Sequence, residues 1–421
     1  DFEWDKKHEN GVLIKNKHHF TDLDKYYLTY VIKGNGIVLA SGKKDNLSVS
    51  PGEYEQIIIP EIMAITPAPN TKYFLHLNLN LKEKTSLLPA NHTVASEQLK
   101  IPLKTPPFMP AMPGQNKITI EENDDMFVLS ASEIEYSIDK KTGFITQISA
   151  QGKETLATPL IPDFWRAPTD NDFGNGMDQR CAIWKNTARG CELQNLRIED
   201  QNSRSATISA KFIHTDSQSE IEILYRIYHD GILAVSMDLE PQIKGLPELP
   251  RFGFSAGLIY GYDNLDWYGR GPHENYCDRK TSAFIDLYQS NIHNQFYPYS
   301  RPQETGYKTD VDWVSITNRG SYGLLFAASD NMGYSALPYS TEEIDCITKK
   351  NYRHPADLRK DRITHLHIDK MQIGVGGDNS WGARPHSQYT IPAGKMEFLF
   401  FIKPVNLQEE NPFRIKKNRE M

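Results

Sequence analysis

The sequence predicts an all-β protein made of two successive antiparallel sandwiches. Three observations carry this. Apolar residues recur in short runs with a period of two, Gly, Asn and Pro cut those runs at near-regular spacing, and the 3.6-residue period of a helix is almost absent. Composition points the same way: aromatics make up 11% of 421 residues, with 21 Tyr, 18 Phe, 27 Gly and 25 Pro. That mixture favours strands and turns. The length exceeds what one small core needs and suggests two or three domains.

In the first hundred residues Leu28, Tyr30 and Ile32 alternate, Gly34-Asn35-Gly36 turns, and Ile37-Val38-Leu39 resumes. Asn-Gly accepts the positive φ of a tight hairpin turn, so this stretch is read as a hairpin. Runs follow at Leu47-Ser48-Val49 before Pro51-Gly52 and at Ile57-Ile58-Ile59 before Pro60, and from Leu75 to Leu81 apolar residues alternate strictly with polar ones. Strands so spaced predict an immunoglobulin-like β-sandwich over 1–101. Asn91-His92-Thr93 is a glycosylation triplet, a pattern that also arises by chance.

Five prolines, Pro102, Pro106, Pro107, Pro110 and Pro113, then interrupt any sheet. They predict a semi-rigid linker over 102–124. From 125 to 404 the strand pattern returns. Ile134-Tyr136-Ile138 meets a turn at Lys141-Thr142-Gly143, Ala206-Ile208-Ala210-Phe212 alternates, and Asp230-Gly231 separates two apolar runs. One short helix is expected over 179–187, stopped by Gly190. Without further helices the strands cannot make parallel crossovers, so a large antiparallel sandwich is predicted. A polar, frayed tail is expected over 405–421.

The formal charge of −7 gives no basic field for nucleic acid or anionic lipid. Cys181, Cys191, Cys277 and Cys346 form no Cys-x-x-Cys pair and read as free thiols. No run of about 18 apolar residues could span a membrane as a helix. The chain opens Asp1-Phe2-Glu3-Trp4, without initiator Met or signal peptide, and reads as a piece of something longer. The sequence fixes neither compartment nor oligomeric state.

Four polar-aromatic clusters could carry chemistry: Phe164-Trp165-Arg166-Ala167-Pro168-Thr169-Asp170-Asn171-Asp172; Trp267-Tyr268-Gly269-Arg270-Gly271-Pro272-His273-Glu274-Asn275-Tyr276; Pro298-Tyr299-Ser300-Arg301-Pro302-Gln303-Glu304; and Gly374-Val375-Gly376-Gly377-Asp378-Asn379-Ser380-Trp381. Each is too broken by Pro and Gly to be a strand interior. The last is no phosphate loop, because Asn379 stands where a dinucleotide fingerprint needs its third glycine and no Lys-Ser/Thr pair follows. Its glycines instead present Trp381, either to a ligand or to the core. Glu274, Glu304, Asp170 and Asp172 are candidates for the paired carboxyls of glycoside cleavage. An arginine stands near almost every one of them, and bracing ion pairs are the competing reading. His273 and Glu274, the types an epimerase would use, would point to opposite faces of an extended segment. His365 and His367 would share one strand face, without a third ligand at metal spacing, and read as solvent-facing.

The first, second and fourth clusters, in that order, resemble motifs in the carboxy-terminal small-chain domain of the large bacterial β-galactosidases of glycoside hydrolase family two. Ile14-Lys15-Asn16, Phe20-Thr21-Asp22-Leu23 and Ala95-Ser96-Glu97-Gln98 resemble the immunoglobulin-like domain that precedes it there. The resemblance covers 12–404. It implies a galactose mutarotase-like super-sandwich for the second domain, and catalytic glutamates on an upstream (β/α)8 barrel that is the natural partner of this chain. It also implies a sugar-stacking role for Trp381 at the mouth of the active site, towards a β-galactoside. No catalytic residue is carried over. Arg166, Asp170, Asp172, Arg270, Glu274, Asn275 and Glu304 are expected to brace loops. The parent's Mg²⁺ and Na⁺ are expected to bind upstream, leaving no metal or other cofactor site here, and the parent is expected to be a homo-oligomer. A stand-alone carbohydrate-binding or scaffold module, and less so an aldose-mutarotase-like enzyme, are the alternatives.

Overall fold

The computed structural model describes residues 1–106, 117–345, 354–379 and 381–414. Pro107, Pro110, Pro113, Cys346, Ser380 and 415–421 lie outside them. The chain divides into two compact units, Asp1–Pro110 and Ala111–Met421.

The first unit is a sandwich of two antiparallel sheets. One joins Phe2–Trp4, Gly11–Lys15 and Tyr54–Ile58; the other runs Ile37–Lys44, Tyr26–Gly34, Tyr73–Leu81, Thr93–Lys100. Alternation places Leu28 and Ile32 of one strand and Leu75 and Leu77 of its neighbour in the core, against Val12 and Ile14. The hairpin turn has Asn35 at φ 48° and Gly36 at φ 81°. Its second strand leaves Ile37, Val38 and Leu39 exposed. Leu47-Ser48-Val49 is not a strand, although Leu47 and Val49 are buried. The Val49 carbonyl accepts from the Asn16 side chain at 2.7 Å and from the Leu23 amide, so this backbone is satisfied without a ladder.

The second unit is a continuous antiparallel system that, among the described residues, comprises seventeen strands curled on themselves. Its core takes alternate residues from Ser219–Tyr228, Leu233–Pro241, Arg251–Leu258 and Met396–Asn406. Ile118–Glu122, inside the stretch read as linker, is a strand: it pairs with Met126–Ala131 and buries Ile118. The single helix expected over 179–187 is instead a run of short pieces, Met177–Arg180, Ala182–Trp184 and Thr187–Gly190. Asn186 at φ 62° breaks its continuity before the last piece, and fully buried Trp184 meets Phe164 edge-on.

The tail is also ordered further than its polarity suggested. Met396–Asn406 runs past Pro404, and Phe413 sits edge-on to Tyr268 and Trp313, covering an apolar cluster. The second polar-aromatic cluster begins inside a strand, Asn264–Gly271, where Trp267 and Tyr268 enter opposite apolar layers. Glycine serves contact there: a Cβ on Gly269 would lie 2.7 Å from Val311 Cα, and one on Gly271 2.9 Å from Trp267 and Tyr288. The two histidines share a strand face, but only His365 is partly open, whereas His367 is buried.

Candidate functional site

The Gly374–Trp381 loop is held by buried side chains acting on its backbone. Arg166, fully buried, donates from Nη1 to the Ile373 carbonyl at 2.9 Å and from Nη2 to the Gly374 carbonyl at 3.0 Å. The same Nη2 meets both Asp172 oxygens at 2.9 and 2.8 Å. Asp172 is fixed in turn as part of a capping box with Thr169 at the start of helix Asp170–Gly174. Asn171 Nδ2 donates to the Val375 carbonyl at 3.1 Å, so one short helix turn carries one anchor of the loop and, in Asp172, the carboxylate that fixes another.

Opposite, Asp278 accepts the Gly376 amide at 2.8 Å. A Cβ on Gly374 would come within 2.5 Å of that carboxylate, and one on Gly377 within 2.5 Å of the Ala383 carbonyl. Gly376 meets only an ordinary 3.5 Å contact. Thus Gly374 and Gly377 serve close packing, while the left-handed conformation falls to Gly382, φ 115°. The Trp381 amide donates to Asn379 Oδ1, and the residue is 91% exposed.

The remaining sequence-singled residues fall around the same network. Asp170, largely exposed, pairs with Arg301 at 3.0 Å, and the Arg301 guanidinium lies 3.9 Å over the Phe173 ring. Arg270 pairs with Asp310 and donates to the Lys280 and Ala283 carbonyls. Glu274 accepts from Arg279 at 2.6 Å, Thr305 Oγ1, the Gly306 amide and the Tyr299 hydroxyl. His273 meets Ser282 instead, so His273 and Glu274 do not converge. Asn275 Oδ1 accepts from both the amide and the hydroxyl of Thr309.

Glu304 belongs to a buried cluster whose centre the sequence reading did not pick out. Arg251 lies 3.4 Å from Glu304, 3.4 Å from Asp163 and 3.1 Å from Asp369. One guanidinium faces three carboxyls, and the outcome differs between them. Burial pushes Glu304 and Asp369 up, Asp369 far up, against the pull of Arg251. Burial also acts to raise Asp163, but its contact with His367 and the Arg251 charge outweigh it and hold that carboxyl low. A signal was available: Arg251, Gly253, Ser255 and Gly257 alternate with Phe252, Phe254, Ala256 and Leu258, so small residues repeat on the arginine's side of the strand. Asp278, two residues past the second cluster, was visible in the sequence as a neighbour of that motif. Among the described residues no group of three His, Cys, Asp or Glu could hold a metal ion.

Fold and loop together define an all-β sandwich protein that presents one open indole on a braced loop. A family model described as beta galactosidase small chain matches residues 130–402, and one described as beta-galactosidase, domain 4, matches 12–102. The chain belongs to this β-galactosidase small-chain family. It is similar to the β-galactosidase of Priestia megaterium, 32% identical over 394 residues, covering 93% of this chain and 37% of the relative. The β-galactosidases of Halalkalibacterium halodurans, 28% identical over 400 residues, and Streptococcus thermophilus, 26% over 412, are each matched across 94% of this chain and 38% of their own length. The chain therefore spans less than two fifths of these relatives.

Proposed function

We propose that this chain is the non-catalytic C-terminal portion of a β-galactosidase and that Trp381 is its contribution to substrate binding. The carrying observation is the 91% exposure of Trp381 on a loop whose backbone is held by Arg166, Asn171 and Asp278. Leaving an indole in water while spending buried hydrogen bonds on its loop makes sense if a ligand covers it. Sugars present apolar C–H faces, and an indole under such a face removes apolar area from water while the hydroxyls remain free.

In this reading the parent enzyme hydrolyses terminal β-D-galactosyl bonds through an upstream barrel, where the catalytic glutamates and the Mg²⁺ and Na⁺ sites reside. Trp381 binds the glucose or other leaving group at the mouth, and Arg166, Asp170, Asp172, Arg270, Glu274, Asn275 and Glu304 shape the surrounding loops. Its relatives' name and their greater length support it. The test has two arms. The purified chain should not turn over a chromogenic β-galactoside, and hydrolysis by it would refute the assignment. In the polypeptide that joins this chain to its barrel, Trp381→Ala should weaken substrate and acceptor binding; unchanged affinity for both would remove Trp381 from the site.

A further inference from the structure

The face of the large sheet that carries Arg251 also carries an open cleft. Phe252, Phe254 and Leu258 enter the core, which leaves Gly253, Ser255 and Gly257 on the other side. The register sets His367 between Ser255 and Ser335, and Asp369 between Gly253 and Gly333. Small neighbours leave room above the strands, and a cleft of about 320 Å³ lies there. Its walls include Asp163, Trp165, Lys185, Thr341, Asp345 and His367.

Asp345 is the informative wall. Its side chain is 2% exposed, and Oδ2 accepts from Lys185 Nζ at 2.7 Å and from the Trp165 indole N–H at 3.2 Å. Its Oδ1 is buried and, among the described residues, has no hydrogen-bond partner. A buried oxygen left in that state costs about 1–3 kcal/mol unless something in the cleft bonds to it.

His367 faces the same space. Its Nδ1 lies 2.6 Å from Arg251 Nη1 and 3.0 Å from Asp163, and its Nε2 lies 3.2 Å from Thr341 Oγ1. Burial and the Arg251 charge bring its pKa down to about 4, so the ring is neutral at neutral pH. The Nε2–Thr341 hydrogen bond runs in either sense according to the ring tautomer. In either sense the hydroxyl keeps hydrogen-bonding capacity for the cleft.

These walls offer hydrogen bonds of both senses but little net attraction for an ion. Lys185 is already paired with Asp345, Arg251 faces its own carboxylates, and no three metal-ligating side chains converge among the described residues. The volume suits a molecule at the small end of the range for ligand pockets. We propose that the cleft binds a neutral polyhydroxylated molecule of monosaccharide size, with a ligand hydroxyl on Asp345 Oδ1 and another on Thr341 Oγ1. None of the Gly374–Trp381 residues lines it: Trp165 faces the cleft while its neighbour Arg166 anchors the loop. The proposal does not depend on the role assigned to Trp381.

Saturation-transfer NMR on the full 421-residue chain tests this, with D-galactose and myo-inositol as separate probes and Trp381→Ala as the background, so that the loop indole cannot contribute. Transfer to at least one probe is expected, with affinity in the millimolar range. Adding Asp345→Asn or Thr341→Val should weaken it about tenfold each, the equivalent of one lost hydrogen bond to a buried partner. Lys185→Met, at a half-exposed position, provides a variant that should fold in any case and should weaken binding as well. No transfer in the Trp381→Ala background up to about 100 mM probe would overturn the proposal. So would unchanged affinity in correctly folded Asp345→Asn and Lys185→Met, or displacement of the sugar by inorganic phosphate at lower concentration.

Discussion

Replacing Arg166 with Met keeps most of the side chain's length and apolar stem and removes every donor, which isolates what the guanidinium does for the loop. Four contacts go: two to Asp172 and one each to the Ile373 and Gly374 carbonyls. Asp172 is left as a buried carboxylate bonded to the Thr169 amide. Removing one partner of a buried pair costs about 3–5 kcal/mol. The loop can shed part of this by lifting off and letting water reach its carbonyls, so the cost divides between global stability and local opening. Urea denaturation should show a loss of about 2–4 kcal/mol, and exchange of the Gly374 and Gly376 amides, now bonded to Tyr389 O and Asp278, should accelerate by about tenfold or more. Arg166→Lys should not restore either readout, because one ammonium cannot meet a carboxylate and two carbonyls set apart by the guanidinium's fork. A stability loss under about 1 kcal/mol with unchanged amide protection would refute the claim that Arg166 holds the loop.

Other expectations follow from the same contacts. Trp381→Ala should leave unfolding free energy within about 0.5 kcal/mol of the parent chain, since a residue this exposed contributes little to packing; a larger loss by urea titration would mean the indole is anchored after all. Gly253→Ala should prevent folding or cost well over about 3 kcal/mol by circular dichroism, because the new Cβ would meet Asp369 Oδ1, the Ile368 carbonyl and, at 2.6 Å, Asp369 Cα. Phe413→Ala should lower stability by about 1–3 kcal/mol in thermal unfolding, through loss of two edge-on contacts. Burial lowers Lys308 from 10.5 to about 8 despite Glu274. Between those values the unfolded chain holds a proton that the folded chain lacks, so this lysine makes stability rise with pH across that window, by about 3 kcal/mol at most. Cys181, Cys191 and Cys277, pushed up by burial to about 12, 12 and 11, act in the opposite direction. The wild-type minus Lys308→Met difference curve from pH 8 to 10.5 therefore isolates the lysine, and a flat difference would contradict its depressed pKa.

How much was legible depended on whether a residue's role is local. The Asn35-Gly36 hairpin and the alternation of Tyr73–Leu81 are set by neighbours two or three positions away, and both could be read directly. Leu47-Ser48-Val49 reads as a strand because alternation cannot show that the donor satisfying Val49 comes from Asn16, 33 residues distant. The tail misled for a related reason: one Phe among polar residues carries no periodicity, yet Phe413 finds two aromatic rings 145 and 100 residues away in sequence.

The same distinction separates the two halves of the candidate site. The Gly374–Trp381 motif announces itself, since glycine clusters are visible as letters, but letters did not reveal what each glycine does. Gly374 and Gly377 make room for Asp278 and for the Ala383 carbonyl, whereas Gly376 contributes its amide and meets no close contact that a Cβ would violate. Arg251 lay hidden because its meaning comes from four carriers of charge or hydrogen bonds on other strands and loops: Asp163, Glu304, His367 and Asp369. Buried acids of that kind need small residues opposite them, and the structure provides glycine on both sides of Asp369, at 253 and 333. A charged residue in an apolar strand flanked by alternating Gly and Ser is thus the pattern that would have pointed to the cleft.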